Sequence, residues 1–178
     1  NPDTATVEGV KGADINILDA HTLAYWPFDE GEGSVVNDLT AAAHSGMINP
    51  SPIWVEEGHL DGASSSLEFD GTFTNVQTNL FLSGHASFTA EAWFNSDADK
   101  TMTIFSDKKD QSSRGFNLYI NNGLTFDFTI NNGELVSLNS EVSVSDGEWH
   151  FVAVVRGQNH VELWLDGELV GQMMYAGE

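Results

Sequence analysis

The chain has 178 residues, 40% of them hydrophobic and 11% aromatic, which suits one β-sandwich with a packed core and excludes a disordered tail. Six Lys and Arg stand against 27 Asp and Glu, a formal net charge of -21, and such a polyanion repels phosphate backbones and anionic bilayers. Nucleic-acid binding and membrane insertion are therefore excluded, the latter also because no apolar run is long enough to span a bilayer as a helix, and the absence of cysteine rules out disulfides and thiolate metal sites.

In chain order, residues 1–20 read as a linker or edge segment, rich in small and acidic residues, with one apolar patch at Ile15, Ile17 and Leu18. One domain is expected from 21 to 178. Helical periodicity is nearly missing. Short alternating runs separated by Gly, Asn, Asp and Ser predict strands at 22–28, 66–69, 75–78, 87–95, 103–106, 115–120, 124–130, 134–138, 149–155, 161–165 and 168–174. Asn121-Asn122-Gly123 and Asn131-Asn132-Gly133 flank the run 124–130, and Asp166-Gly167 separates the last two runs. Such pairs tolerate the positive φ angles of tight hairpins, so a three-strand meander and a further hairpin are predicted. In the run 87–95, Phe88, Ala90, Ala92 and Phe94 share one face and Thr89, Glu91 and Trp93 the other. Likewise Trp149, Phe151, Ala153 and Val155 lie opposite His150, Val152 and Val154. The fold class is all-β, a two-sheet antiparallel sandwich.

A succession of phrases carries a resemblance. They are Leu23-Ala24-Tyr25-Trp26-Pro27-Phe28-Asp29-Glu30-Gly31-Glu32-Gly33, Ser45-Gly46, Trp54 with Gly58, Leu67-Glu68-Phe69-Asp70-Gly71, Phe88-Thr89-Ala90-Glu91-Ala92-Trp93, and Arg114-Gly115-Phe116-Asn117-Leu118-Tyr119-Ile120. Asp146-Gly147-Glu148-Trp149-His150-Phe151-Val152-Ala153-Val154 and Val161-Glu162-Leu163-Trp164-Leu165-Asp166-Gly167 complete it. In this order, over roughly 22–175, they resemble the laminin-G-like jelly-roll family of the concanavalin-A-like lectin superfamily. The resemblance implies a two-sheet jelly roll, a secreted or surface setting, a bacterial source, carbohydrate or protein recognition, and a structural calcium. The family's closing strand, with an acidic pair, is not found before Glu178, so a truncated sequence, another chain or segment, or the N-terminal lead-in is expected to account for it.

Catalysis is not expected. Glycosidases of this superfamily space two or three carboxylates by twos on one strand to flank the scissile bond, and Glu162, Asp166 and Glu168 do not match that spacing. The six histidines show no metal-ligand spacing. In the family, Trp26, Trp93, Trp149 and Trp164 fall at core or strand positions. The candidate ligand-binding residues are therefore Phe73 and Trp54, together with Lys108 and Arg114 in the run 107–114, which holds three of the six basic residues. A basic spot on a polyanion suits an acidic glycan, because Arg engages a carboxylate or sulfate bidentately. For calcium, the glycine-rich acidic stretch 29–33 and Asn37-Asp38 offer oxygen ligands on a flexible loop, with Asp29, Asp38 and Asp70 as candidate ligands. The expected function is a non-catalytic carbohydrate-binding or adhesive module of a larger extracellular protein. A laminin–neurexin type of protein recognition is the alternative, and a polysaccharide-degrading enzyme a more distant one.

Overall fold

A computed structural model describes residues 19–51, 53–56, 58, 65–71, 73–82, 85–97, 100–108, 115–121, 123–129 and 133–176. They fall into two compact units, Asn1–Leu80 and Phe81–Glu178. Most of the expected linker 1–20 lies outside the described residues, as do Asn122, Asn131, Asn132 and Arg114.

The first unit contains β1 (Val35–Val36), β2 (Gly46–Asn49), β3 (Ile53–Val55), β4 (Ser66–Glu68) and β5 (Asn75–Gln77). β1, β2 and β5 form one antiparallel sheet in that order, and β3 pairs with β4. Val36 and Ile48 are its buried apolar side chains. The strand expected over 22–28 does not form. There the Tyr25 amide donates to Asp38 Oδ1 at 3.0 Å and the Tyr25 carbonyl accepts from the Leu39 amide at 2.9 Å, so a side chain replaces a ladder partner. β1, β2 and β3, which the sequence reading misses, are two to four residues long, too short for an alternation signal.

The second unit is a sandwich of two four-stranded antiparallel sheets. Its strands are β6 (Phe88–Asn95), β7 (Met102–Ser106), β8 (Phe116–Ile120), β9 (Leu124–Thr129), β10 (Leu135–Asn139), β11 (Trp149–Arg156), β12 (His160–Leu165) and β13 (Glu168–Met174). One sheet runs β10-β9-β8-β7 and the other β13-β12-β11-β6. The first contains the expected meander. The predicted Asp166-Gly167 turn joins β12 to β13, both residues at positive φ, 50° and 84°.

Period-2 alternation turns one face of each sheet inward. Phe116, Leu118, Ile120, Leu124, Phe126, Phe128, Val136 and Leu138 from one sheet meet Val152, Val154, Val161, Leu163 and Leu165 from the other in a single buried cluster. Burying each such side chain contributes about 1.5–3 kcal/mol. The cluster admits one cation at its margin. Arg156 is buried, its guanidinium 4.9 Å from the centre of the Phe128 ring and 5.9 Å from that of Phe88, and its NH1 donates to the His85 carbonyl at 2.8 Å. The π faces and the carbonyl stand in for part of the water that a buried guanidinium gives up.

Candidate ligand-binding face

The two sheets of the second unit differ on their outer faces. On β8, β9 and β10 the outward side chains are Asn117, Tyr119, Thr125, Asp127, Ser137 and Asn139. They bond to one another: the Tyr119 hydroxyl donates to Asp127 Oδ2 at 3.0 Å and Asn139 Nδ2 to Thr125 Oγ1 at 2.7 Å. Burial first, and then the Asp127 carboxylate, raise the Tyr119 pKa, so this phenol stays protonated and donating.

The face of β6, β11, β12 and β13 is aromatic instead. Strand register fixes the arrangement. Trp93 stands opposite Phe151; Glu91 opposite Ala153, and Ala153 opposite Trp164; Thr89 opposite Val155, and Val155 opposite Glu162. β13 continues the face with Leu169 beside Trp164 and Gln172 beside Glu162. Trp93 and Phe151 rings lie 5.3 Å apart, and Trp93 is 41% exposed. The Trp164 indole donates to Glu162 Oε2 at 3.0 Å. None of Trp93, Trp149, Phe151 or Trp164 belongs to the buried cluster or packs against it. These tryptophans are strand residues, as expected, but outward ones rather than core. The alternation of residues 149–155 already separated them from Val152 and Val154; what the sequence did not show was which face turned inward.

Each of the ligand-binding residues read from sequence has a definite place or lies outside the described region. Phe73 is 76% exposed, on a turn that Asp70 builds by accepting the amides of Phe73 and Thr74 at 2.9 and 3.0 Å. Trp54 is half-buried on β3, its indole N–H donating to the Gly33 carbonyl at 2.9 Å. It fastens the glycine-rich loop. Lys108 is half-buried, its amide donating to Ser106 Oγ at 3.1 Å. Arg114, its intended partner, lies outside the described residues, and the basic spot is not assembled by what is described.

The acidic loop of the first unit separates the metal candidates. Asp38 is buried, and both of its oxygens are occupied: Oδ1 accepts from the Tyr25 and Thr40 amides, at 3.0 and 2.9 Å, and Oδ2 from the Thr40 hydroxyl and the His44 amide, at 2.9 and 2.7 Å. Burial alone would raise its pKa; these bonds outweigh burial and lower it. Asp38 is thus a folding element, each of its oxygens accepting two hydrogen bonds from this part of the chain. Asp70 is engaged in its own turn. Glu30 differs. Its Oε1 accepts from the Asn37 amide and side chain at 2.7 and 3.1 Å, while Oε2 is buried with no partner. Among the described residues no three His, Asp or Glu side chains converge as a metal site. The oxygen chemistry of this loop suits a hard cation, and the side chains that could contribute to one are Glu30 and the adjacent, exposed Asp29, with backbone carbonyls making up the set.

At one end of β11, His150 is clasped by two carboxylates. Its Nδ1 meets Asp166 Oδ2 at 2.8 Å and its Nε2 meets Asp146 Oδ1 at 3.2 Å. Asp166 also accepts the Phe151 amide at 2.8 Å, and Asp146 the Glu148 amide at 2.9 Å. The clasp ties the loop before β11 to the β12–β13 turn.

Comparison with known proteins places this geometry. A laminin-G family model, described as concanavalin A-like lectin/glucanases superfamily, matches residues 70–178. Among solved structures, the mouse laminin alpha1 chain, domains LG4-5, is similar at 14% identity over 66% of this chain and 41% of that chain, with a TM-score of 0.31. This chain therefore spans about two fifths of that structure's length. No curated protein matches.

Proposed function

The chain belongs to the concanavalin A-like lectin/glucanase superfamily, in its laminin-G-like family, and from that premise we propose a non-catalytic module that binds glycans through the outer face of β6, β11 and β12. Recognition as the broad class follows from the family. The observation that carries the finer reading is Trp93, an exposed indole backed by Phe151 at 5.3 Å on a strand within the matched region. A flat, rigid, partly exposed aromatic ring is what the apolar face of a sugar ring stacks on, and it loses little conformational entropy in doing so. On the same face of β6, Glu91 and Asn95 offer oxygens for hydroxyl groups. Support for a binding role over a hydrolytic one is the placement of Glu91 and Glu162. Glu162 is held by the Trp164 indole, and Glu91 stands two strands away. An extracellular setting belongs to the same reading, as does one structural calcium in the acidic loop, supported by the unpartnered Glu30 oxygen. Such an ion would fix that loop and neutralise its charge.

A glycan array followed by titration of the best hit tests the reading. Trp93→Ala should weaken binding about tenfold or more, the loss of roughly 1.4 kcal/mol typical of an aromatic anchor. The melting temperature should stay nearly unchanged, because the indole is outside the core. Binding that survives Trp93→Ala at full strength would move the site elsewhere, and a blank array beside a captured protein ligand would favour protein recognition.

A further inference from the structure

The outer face has a hollow at its centre. Ala153 carries a single methyl group between two long side chains in register, Glu91 on β6 and Trp164 on β12, with Trp93 and Phe151 toward one end and Glu162 and the smaller Thr89 and Val155 toward the other. Neighbouring strands lie about 4.8 Å apart, so the walls Glu91 and Trp164 stand about 10 Å apart across the alanine. Two of these walls have fixed orientation, Trp93 by its packing on Phe151 and Trp164 by its bond to Glu162. The chemistry of the walls is mixed. Aromatic surface lies on two sides, a carboxylate on a third, and a second carboxylate at the rim.

Glu91 has the features of an acid lacking its counterpart. Burial is the cause that raises its pKa, and among the described residues no cation offsets it. A carboxylate desolvated beside indole and phenyl rings favours a cation that can lie against the same π faces. Across the molecule, 27 acidic against six basic residues attract positively charged ligands and repel the negative ones first expected from Lys108 and Arg114.

We propose that the hollow over Ala153 takes a protonated amino sugar, its ring against Trp93 and Phe151 and its ammonium group against Glu91. The inference rests on the glycan reading and narrows it from sugars in general to glycans of the glucosamine type.

Calorimetric titration of the whole chain tests it, at mildly acidic pH and moderate salt, with three probes of equal length: a glucosamine oligosaccharide, its fully N-acetylated counterpart and a lysine oligomer. The glucosamine oligosaccharide should bind about tenfold or more tightly than either of the others, a difference of about 1.4 kcal/mol. Ala153→Leu fills the hollow and should erase that preference. Glu91→Gln keeps shape and removes charge, so it should do the same even if the leucine variant folds poorly. Equal binding of the two oligosaccharides overturns the inference and leaves the glycan reading standing. Binding of neither sinks both. A lysine oligomer that matches glucosamine, or a preference that persists in both variants, assigns the effect to the overall charge and overturns the proposal.

Discussion

His150 shows how much one side chain can tie together. Burial would lower its pKa; the hydrogen bonds and charges of Asp166 and Asp146 outweigh burial and raise it above 6.5. The imidazolium is therefore preferred in the folded state, and its stabilisation is fully present below about pH 6.5 and lost as pH rises through the folded value. Denaturant midpoints should fall between pH 6 and pH 9 in the parent protein, while His150→Gln should be less stable at pH 6, by roughly 1–2 kcal/mol after allowing for half-exposed carboxylates, and flatter across the range. A parallel pH dependence in the two proteins would show that another group titrates. Two further residues separate structure from metal binding. Asp38→Ala leaves the amides of Tyr25, Thr40 and His44 without their acceptor and should cost about 2–3 kcal/mol whether or not calcium is present. Glu30→Gln should matter differently. Calcium should raise the parent melting temperature by several degrees, as saturation of a folded-state site requires, and leave the glutamine variant unmoved. Identical melts of the parent in calcium and in chelator would remove the ion from the loop. The sequence marked this loop as acidic and glycine-rich, but not which carboxylate folds the chain. That distinction lies in donors contributed by Tyr25 and His44, 13 and six residues away.

At the scale of strands, the sequence was most informative where alternation ran for five residues or more. β6, β8, β9, β11, β12 and β13 lie within a residue or two of their predicted bounds, because each has a full apolar face and a turn signal beside it. β1, β2 and β3 carry neither, and 22–28 was misread because aromatic content mimicked a strand while its backbone partners were an aspartate and an isolated amide. Register was the missing quantity for the site. Trp93, Ala153 and Trp164 are adjacent only because β6, β11 and β12 align in one particular register, and a shift of one residue would turn every one of them inward. Packing between sheets supplies a test at this scale. Gly171 on β13 faces Leu138 on β10, and a Cβ there would lie 3.3 Å from Leu138 Cδ1. Gly171→Val should therefore overpack the sandwich and cost about 1–3 kcal/mol in chemical denaturation. Leu138→Ala, introduced together with it, should recover part of that loss, whereas additive losses would show that the two side chains do not meet.

For the molecule as a whole, alternation and turn residues foretold the class of fold, while the choice between its two sandwich faces came from the structure alone. The sheets also have ends. Among the described residues, β13 pairs with β12 alone, and it carries Leu169, Val170, Met173 and Met174 with one acid, Glu168. A strand of that kind, with one row of amides and carbonyls left for another strand, is a seed for growth of the sheet from chain to chain. What keeps copies apart is mutual repulsion, a property of the dissolved population rather than of any one contact. That protection has an acid limit. Near pH 4 the carboxylates take up protons, the repulsion collapses, and strand ends become free to meet. Turbidity and thioflavin fluorescence should rise together on acidification and be suppressed by Met173→Lys on β13. Fibres that form just as readily in that variant would have started from some other strand. The surplus of acid in this chain thus acts as a colloidal guard, and acidification is the condition under which dispersed molecules would begin to stack.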